Sequence, residues 1–289
     1  MAQSGYAYIY DDFLSDKKYE RDLAVLESRL ATLDLAGRVG KLALFRSAKD
    51  LVESLASQGV TTIVVVGNDR TLDKVLWFLP YLKVTLGYLP VTEPCGIAAA
   101  LGIPKGEEAC DILAARLIEK LDMGLLDERY FLTEVILENS AASVDIEGRF
   151  RLSPMHGGRI CIRNLGGIGE ADKADAGDGL LEAVITPQTE SAGFFKRNSF
   201  PETRIKFEHG GLTAHDPMEA RVDCHTANSL KFKLGIEKGK LSVITGRRRK
   251  PAQAGLPKRS EFANLPGTVR NGKNIGAGGG IGIRTSLRG

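Results

Sequence analysis

Gly67-Asn68-Asp69-Arg70-Thr71 is where residue types and spacing in this 289-residue chain come nearest to chemistry. The run Thr61-Thr62-Ile63-Val64-Val65-Val66 leads into it, and Leu72, Val75, Leu76 and Leu79 follow at helical spacing. A buried strand that ends in glycine and opens a helix presents backbone N–H groups and a positive helix terminus at the carboxyl edge of a parallel sheet. Open α/β folds bind phosphate there. The same residues can equally form a plain turn at Gly67, with Asp69 or Thr71 capping the helix and no ligand bound.

Other reactive residues make weaker patterns. Cys95, Cys110, Cys161 and Cys224 are scattered, without a CxxC pair, so a structural zinc site is not expected and reduced, packed thiols are. Cys224 and His225 are neighbours, but adjacent strand residues point to opposite faces, which disfavours a nucleophile and its base. The glycine-rich run Gly276 to Gly282 follows no strand and opens no helix, so it is not read as a nucleotide loop.

The elements that must position the first loop alternate between strand and helix patterns over residues 1–130, as a parallel sheet with crossover helices requires. Strands are expected over 7–10, 41–45, 61–66 and 84–89. Helices are expected around Leu23, Leu26, Leu30 and Leu33, around Leu51, Val52 and Leu55, after the glycine loop, and over 109–121. From Tyr130 to residue 245 short alternating stretches are separated by Gly, Pro, Asn and Asp turns, which predicts an antiparallel sandwich or barrel. The fold class is thus α/β plus β: a doubly wound parallel-sheet domain over 1–130 and an antiparallel β-sandwich over 131–245.

Ile63 to Val75, IVVVGNDRTLDKV, resembles the GGDGTLNEV segment of the diacylglycerol-kinase catalytic family. The likeness continues in order. Leu86-Gly87-Tyr88-Leu89-Pro90 resembles the strand before that family's second loop, and Ile97 to Pro104 its FARALGIP helix. Leu121-Asp122-Met123-Gly124 with Arg129-Tyr130-Phe131 is similar to its IDLG and RYF segments. Asn164-Leu165-Gly166-Gly167 and Gly177-Asp178-Gly179-Leu180-Leu181-Glu182 resemble its N-x-G-G and DDGLLD segments.

The resemblance implies a two-domain fold of the NAD-kinase and diacylglycerol-kinase type. It implies ATP against the first loop in a cleft between the domains, with the γ-phosphoryl group passing to a lipid or other hydroxyl. Such transfer works by positioning and charge neutralisation, so it asks for phosphate contacts, Mg²⁺ and a carboxylate near the hydroxyl. The implied nucleotide contacts are Gly67, Asn68, Asp69, Arg70 and Thr71, with Thr92 and Glu93 from the second loop. Asp69 and Asp223 are the implied catalytic carboxylates, Asp223 as general base, with a turn or hairpin role as the alternative for Asp223. Asp178 and the carbonyl of Leu180 are the implied Mg²⁺ ligands, with a plain Asp-Gly turn as the alternative.

The motifs are altered. Asn68 and Arg70 stand where the family has glycines, so a loop needing positive φ there would be obstructed or reshaped. Arg70 either takes a plain surface or salt-bridge role or offers a guanidinium to phosphate instead. The second loop, Pro90 to Ala98, lacks the family's Gly-Thr and Asn-Asp pairs, and Asp223 lacks its Gly-Glu neighbours. Two functions therefore stand side by side: an ATP-dependent kinase, or a non-catalytic binding or regulatory module on the same fold.

The net charge of +3 is uneven: the stretch from Arg247 onward carries +9 and leaves −6 on the rest. Residues 246–289 are rich in Gly, Pro and bases and are expected to be a disordered tail, either simply solvated or touching an anionic membrane surface. Nucleic acid is the less favoured partner. No apolar run reaches the roughly 20 residues of a membrane span, and the start lacks a basic n-region and an apolar h-region. A cytoplasmic protein is the expectation.

Overall fold

The computed structural model of the chain describes residues 5–42, 47–93, 96–138, 140–154, 157–166, 174–188, 202–246 and 281–284. Two compact units form: the first runs from Met1 to Met123 and takes the chain up again at Lys238, and the second holds Gly124–Leu165 and Ala174–Glu237. Among the described residues no helix is long and apolar enough to cross a membrane.

In the first unit, strands and helices alternate: β1 (Tyr6–Tyr10), α1 (Glu20–Thr32), β2 (Arg38–Lys41), α2 (Ala48–Ser57), β3 (Thr62–Gly67), α3 (Asp69–Leu76), β4 (Thr85–Pro90), α4 (Gly96–Ala100) and α5 (Glu108–Ala115). The strands lie in the order β2-β1-β3-β4, every pair parallel. All six residues of β3 are buried, as a central strand covered on both faces demands. Helices α1 and α5 are tied together by the Arg29–Asp111 ion pair at 2.6 Å, while α2 packs against α3.

The helix expected over 109–121 stops earlier than its leucine spacing suggests. Arg116 takes the left-handed conformation at φ 50° and ends α5, and the chain straightens into β5 (Ile118–Leu126). Leu121, the last residue of the expected helix, is a buried strand residue, as is Met123 after it. The strand expected over 41–45 is instead β2, which begins at Arg38; residues 43–45 lie outside the described residues.

The second unit is antiparallel, and its last long strand, β14, passes into the first unit at Lys238. Its strands are β6 (Arg129–Phe131), β7 (Glu134–Leu137), β8 (Ser143–Ile146), β9 (Phe150–Pro154), β10 (Gly158–Arg163), β11 (Leu181–Pro187), β12 (Thr203–Phe207), β13 (Gly210–Val222), β14 (His225–Ile244) and β15 (Ile281–Arg284). One sheet runs β12-β11-β10-β7-β13. The register of β13 against β14 slips between Thr213 and Met218; before the slip β13 pairs with β8, and after it with β7. A bulged strand that changes partner in this way turns the corner between two sheets. Phe131, Phe207, Val144, Ile160, Ile162, Leu181, Leu212 and Val222 fill the core between them.

Two features differ from the sequence expectation. The last of the short stretches expected before residue 245 are parts of the single strand β14, near whose end Ser242 and Val243 extend the first unit's sheet in parallel with β4. Within the expected tail, β15 pairs with β9. Residues 276–280 of the glycine run and the Arg247-Arg248-Arg249-Lys250 cluster lie outside the described residues.

Candidate functional site

In the first unit the chain leaves β1 toward β2 on one side and returns to β3 on the other, so the strand order reverses at the carboxyl ends of β1 and β3. Ligands of open α/β sheets bind at such a point. Gly67 closes β3 there, and a Cβ on it would run into Thr71 Oγ1 and lie 2.8 Å from Thr71 Cβ. The glycine is therefore required by the close seat of the next helix, whatever else the loop does.

Asn68 starts α3 with a capping box. Its Oδ1 accepts from Thr71 N at 3.1 Å, and Thr71 Oγ1 accepts from Asn68 N at 3.3 Å. Asn68 is extended, at φ −140° and ψ −177°, and Arg70 lies inside the first turn of α3. Neither has positive φ. The two glycine replacements thus fit without strain, because a capped helix start has taken the place of a glycine turn.

Arg70 is exposed and forms no ion pair with a described residue. With Thr71 N capped and Leu72 N bonded to Asn68 O, the N–H groups of Asp69 and Arg70 are left at the helix end.

Asp69 points the other way. It is buried; its Oδ1 accepts from the Tyr88 hydroxyl at 3.0 Å and its Oδ2 from Ile97 N at 2.9 Å, where α4 begins. Burial raises its pKa above the ordinary value, against the pull of those donors. The second loop joins the same edge: Val91 N and Thr92 N donate to Gly67 O at 2.7 and 3.4 Å, and Asn68 Nδ2 donates to Glu93 O at 3.3 Å. The Glu93 carboxylate is paired with Lys105 at 3.7 Å. The structure therefore gathers Gly67, Asn68, Asp69, Arg70, Thr71, Thr92 and Glu93.

Two residues absent from the sequence reading stand at the centre. Asp11, directly after β1, is buried; its Oδ2 accepts from Thr71 Oγ1 at 2.7 Å, and Lys74 Nζ donates to its Oδ1 at 2.9 Å and its Oδ2 at 2.7 Å. A cavity of about 110 Å³ opens beside Asp11 between Tyr10, Leu14, Glu27 and Lys41. That volume suits a few waters, well below a usual small-molecule pocket. The signal for Asp11 was an acid immediately after an apolar β-run; for Lys74 it was the place one helical turn after Thr71.

The remaining site residues belong to the second unit. Asp223 sits in the β13–β14 hairpin at φ 47°. Its Oδ2 accepts from Leu132 N at 2.7 Å, and its Oδ1 from Thr133 N at 2.8 Å, from Thr133 Oγ1 and from Glu134 N at 3.1 Å. Desolvation raises its pKa despite these donors. Asp178 is buried in a turn; its Oδ1 accepts from Leu180 N at 2.9 Å and its Oδ2 from Lys206 Nζ at 2.6 Å. Mg²⁺ asks for near-octahedral oxygen ligation, and a carboxylate already holding an ammonium does not fit it. Among the described residues no group of three His, Cys, Asp or Glu is placed to hold a metal. Cys110 and Cys161 are free, buried thiols, pushed up to about 11 and about 12 by burial first.

No protein-family model matches the chain, and no curated protein does. Solved structures do. A diacylglycerol kinase from Bacillus anthracis str. Sterne superposes with a TM-score of 0.68 at 15% identity, over 85% of this chain and 98% of that one. A second structure from the same organism, assigned as a diacylglycerol kinase, gives 0.71 at 13% identity over the same shares. At such identities the likeness speaks for the fold, and the parallel first unit, the antiparallel second unit and their order in the chain agree with it. This chain has the two-domain fold of the diacylglycerol-kinase structures.

Proposed function

We propose that the chain is a non-catalytic member of the diacylglycerol-kinase-like fold, a module that binds a phosphate-bearing ligand of the nucleotide class at the start of α3. One observation carries the reading: Asp69 and Asp223, the two carboxylates the sequence offers for chemistry, are both engaged by donors of the protein itself. A general base needs an oxygen within reach of the substrate proton, and Oδ1 of Asp223 already accepts three bonds. The helix end and the exposed Arg70 remain, a combination suited to an anion.

A second reading, ATP-dependent phosphoryl transfer to a lipid or other hydroxyl compound, has its own support. Among the described residues Oδ2 of Asp223 holds one protein donor, Leu132 N, and a carboxylate oxygen can accept another.

Calorimetric titration with ATP tests the binding. The intact chain should bind, and Arg70→Ala should weaken binding about 10-fold or more, as loss of a charge-assisted contact does. No heat with wild type, or unchanged affinity in Arg70→Ala, would remove the site.

A further inference from the structure

We propose that the ammonium of Lys206 is the resident cation of the Asp178 turn, so that this part of the second unit folds without a divalent metal. The carboxylate of Asp178 is almost wholly removed from water, at 2% side-chain exposure, and such a charge needs a partner. Two groups supply it. Leu180 N closes an Asx turn on Oδ1 at 2.9 Å, and Lys206 Nζ lies 2.6 Å from Oδ2.

The lysine is brought there by strand register. Glu182 of β11 lies opposite Lys206 of β12, with Leu181 opposite Phe207, so the start of β11 and the end of β12 are locked side by side where the turn enters the sheet. Along β12 the buried Thr203, Ile205 and Phe207 alternate with Arg204 and Lys206, which fixes the lysine on the outward face. Its side chain keeps 37% exposure, so the ammonium reaches the buried oxygen while staying partly hydrated.

A Mg²⁺ ion on Asp178 would sit about 2.0–2.1 Å from the same oxygen and oppose the ammonium at close range. Either cation satisfies the carboxylate; the two do not share it.

Thermal unfolding of the full-length chain tests it. Wild-type Tm should be the same with EDTA as with excess Mg²⁺. Lys206→Met should lower Tm by roughly 5–10 °C, because it strands a buried carboxylate. The double variant Asp178→Asn with Lys206→Met should recover more than half of that loss, since it removes the charge left behind. Lys206→Arg, which keeps a cation, should stay near wild type and ignore EDTA, and it serves if Lys206→Met does not fold. A wild-type Tm that falls with EDTA, or a Lys206→Met variant as stable as wild type, would overturn the proposal.

Discussion

Asp223→Ala should destabilise the second unit by roughly 3–5 kcal/mol, visible as an early transition in denaturant unfolding. The carboxylate fastens the β13–β14 hairpin to the segment Leu132 to Glu134 through three backbone N–H groups and the Thr133 hydroxyl. Alanine leaves those donors without their acceptor. It also places a residue poorly suited to the left-handed region at φ 47°. Asn accepts this conformation and keeps one oxygen, so Asp223→Asn should recover most of the loss.

The pH dependence follows from the direction of the shift. Burial raises the folded-state pKa of Asp223 above its unfolded value of 3.8, so its contribution to stability is fully present below 3.8 and is lost as pH rises through the folded value. The stability difference between wild type and Asp223→Asn should therefore move against wild type as pH rises from 3.8 through the folded-state pKa, and be level above it. A group acting only in catalysis would leave unfolding almost unchanged in both variants.

Asp69→Ala should cost the first unit about 2–4 kcal/mol. Its buried oxygens hold the Tyr88 hydroxyl, at the middle of β4, and the first described turn of α4 at Ile97 N. Both donors are themselves buried, so neither regains water when the carboxylate is removed. The effect should appear in thermal unfolding without ligand, where a residue serving only a nucleotide would have none.

The reversal at β1 and β3 was legible because β3 is a continuous apolar run and the elements alternate with helical and strand periods. Gly67 to Thr71 was legible as a strand-to-helix junction, and its capping alternative is the geometry found at Asn68 and Thr71. The end of α5 was not legible: Leu117, Ile118 and Leu121 keep helical spacing, and only the left-handed Arg116 breaks it. Long strands such as β14 were read in pieces because exposed residues interrupt their alternation. Asp11 with Lys74, and Asp178 with Lys206, were hidden for another reason. Each pair is joined by folding across 63 and 28 residues, and no local pattern ties one partner to the other.

Transfer of labelled γ-phosphate from ATP to lipid in the presence of Mg²⁺, by the purified chain under conditions where ATP binds, tests the central claim most directly. The bonded carboxylates predict bound nucleotide and no labelled lipid. Labelled lipid that appears with wild type and vanishes with a folded Asp223→Asn variant would contradict it.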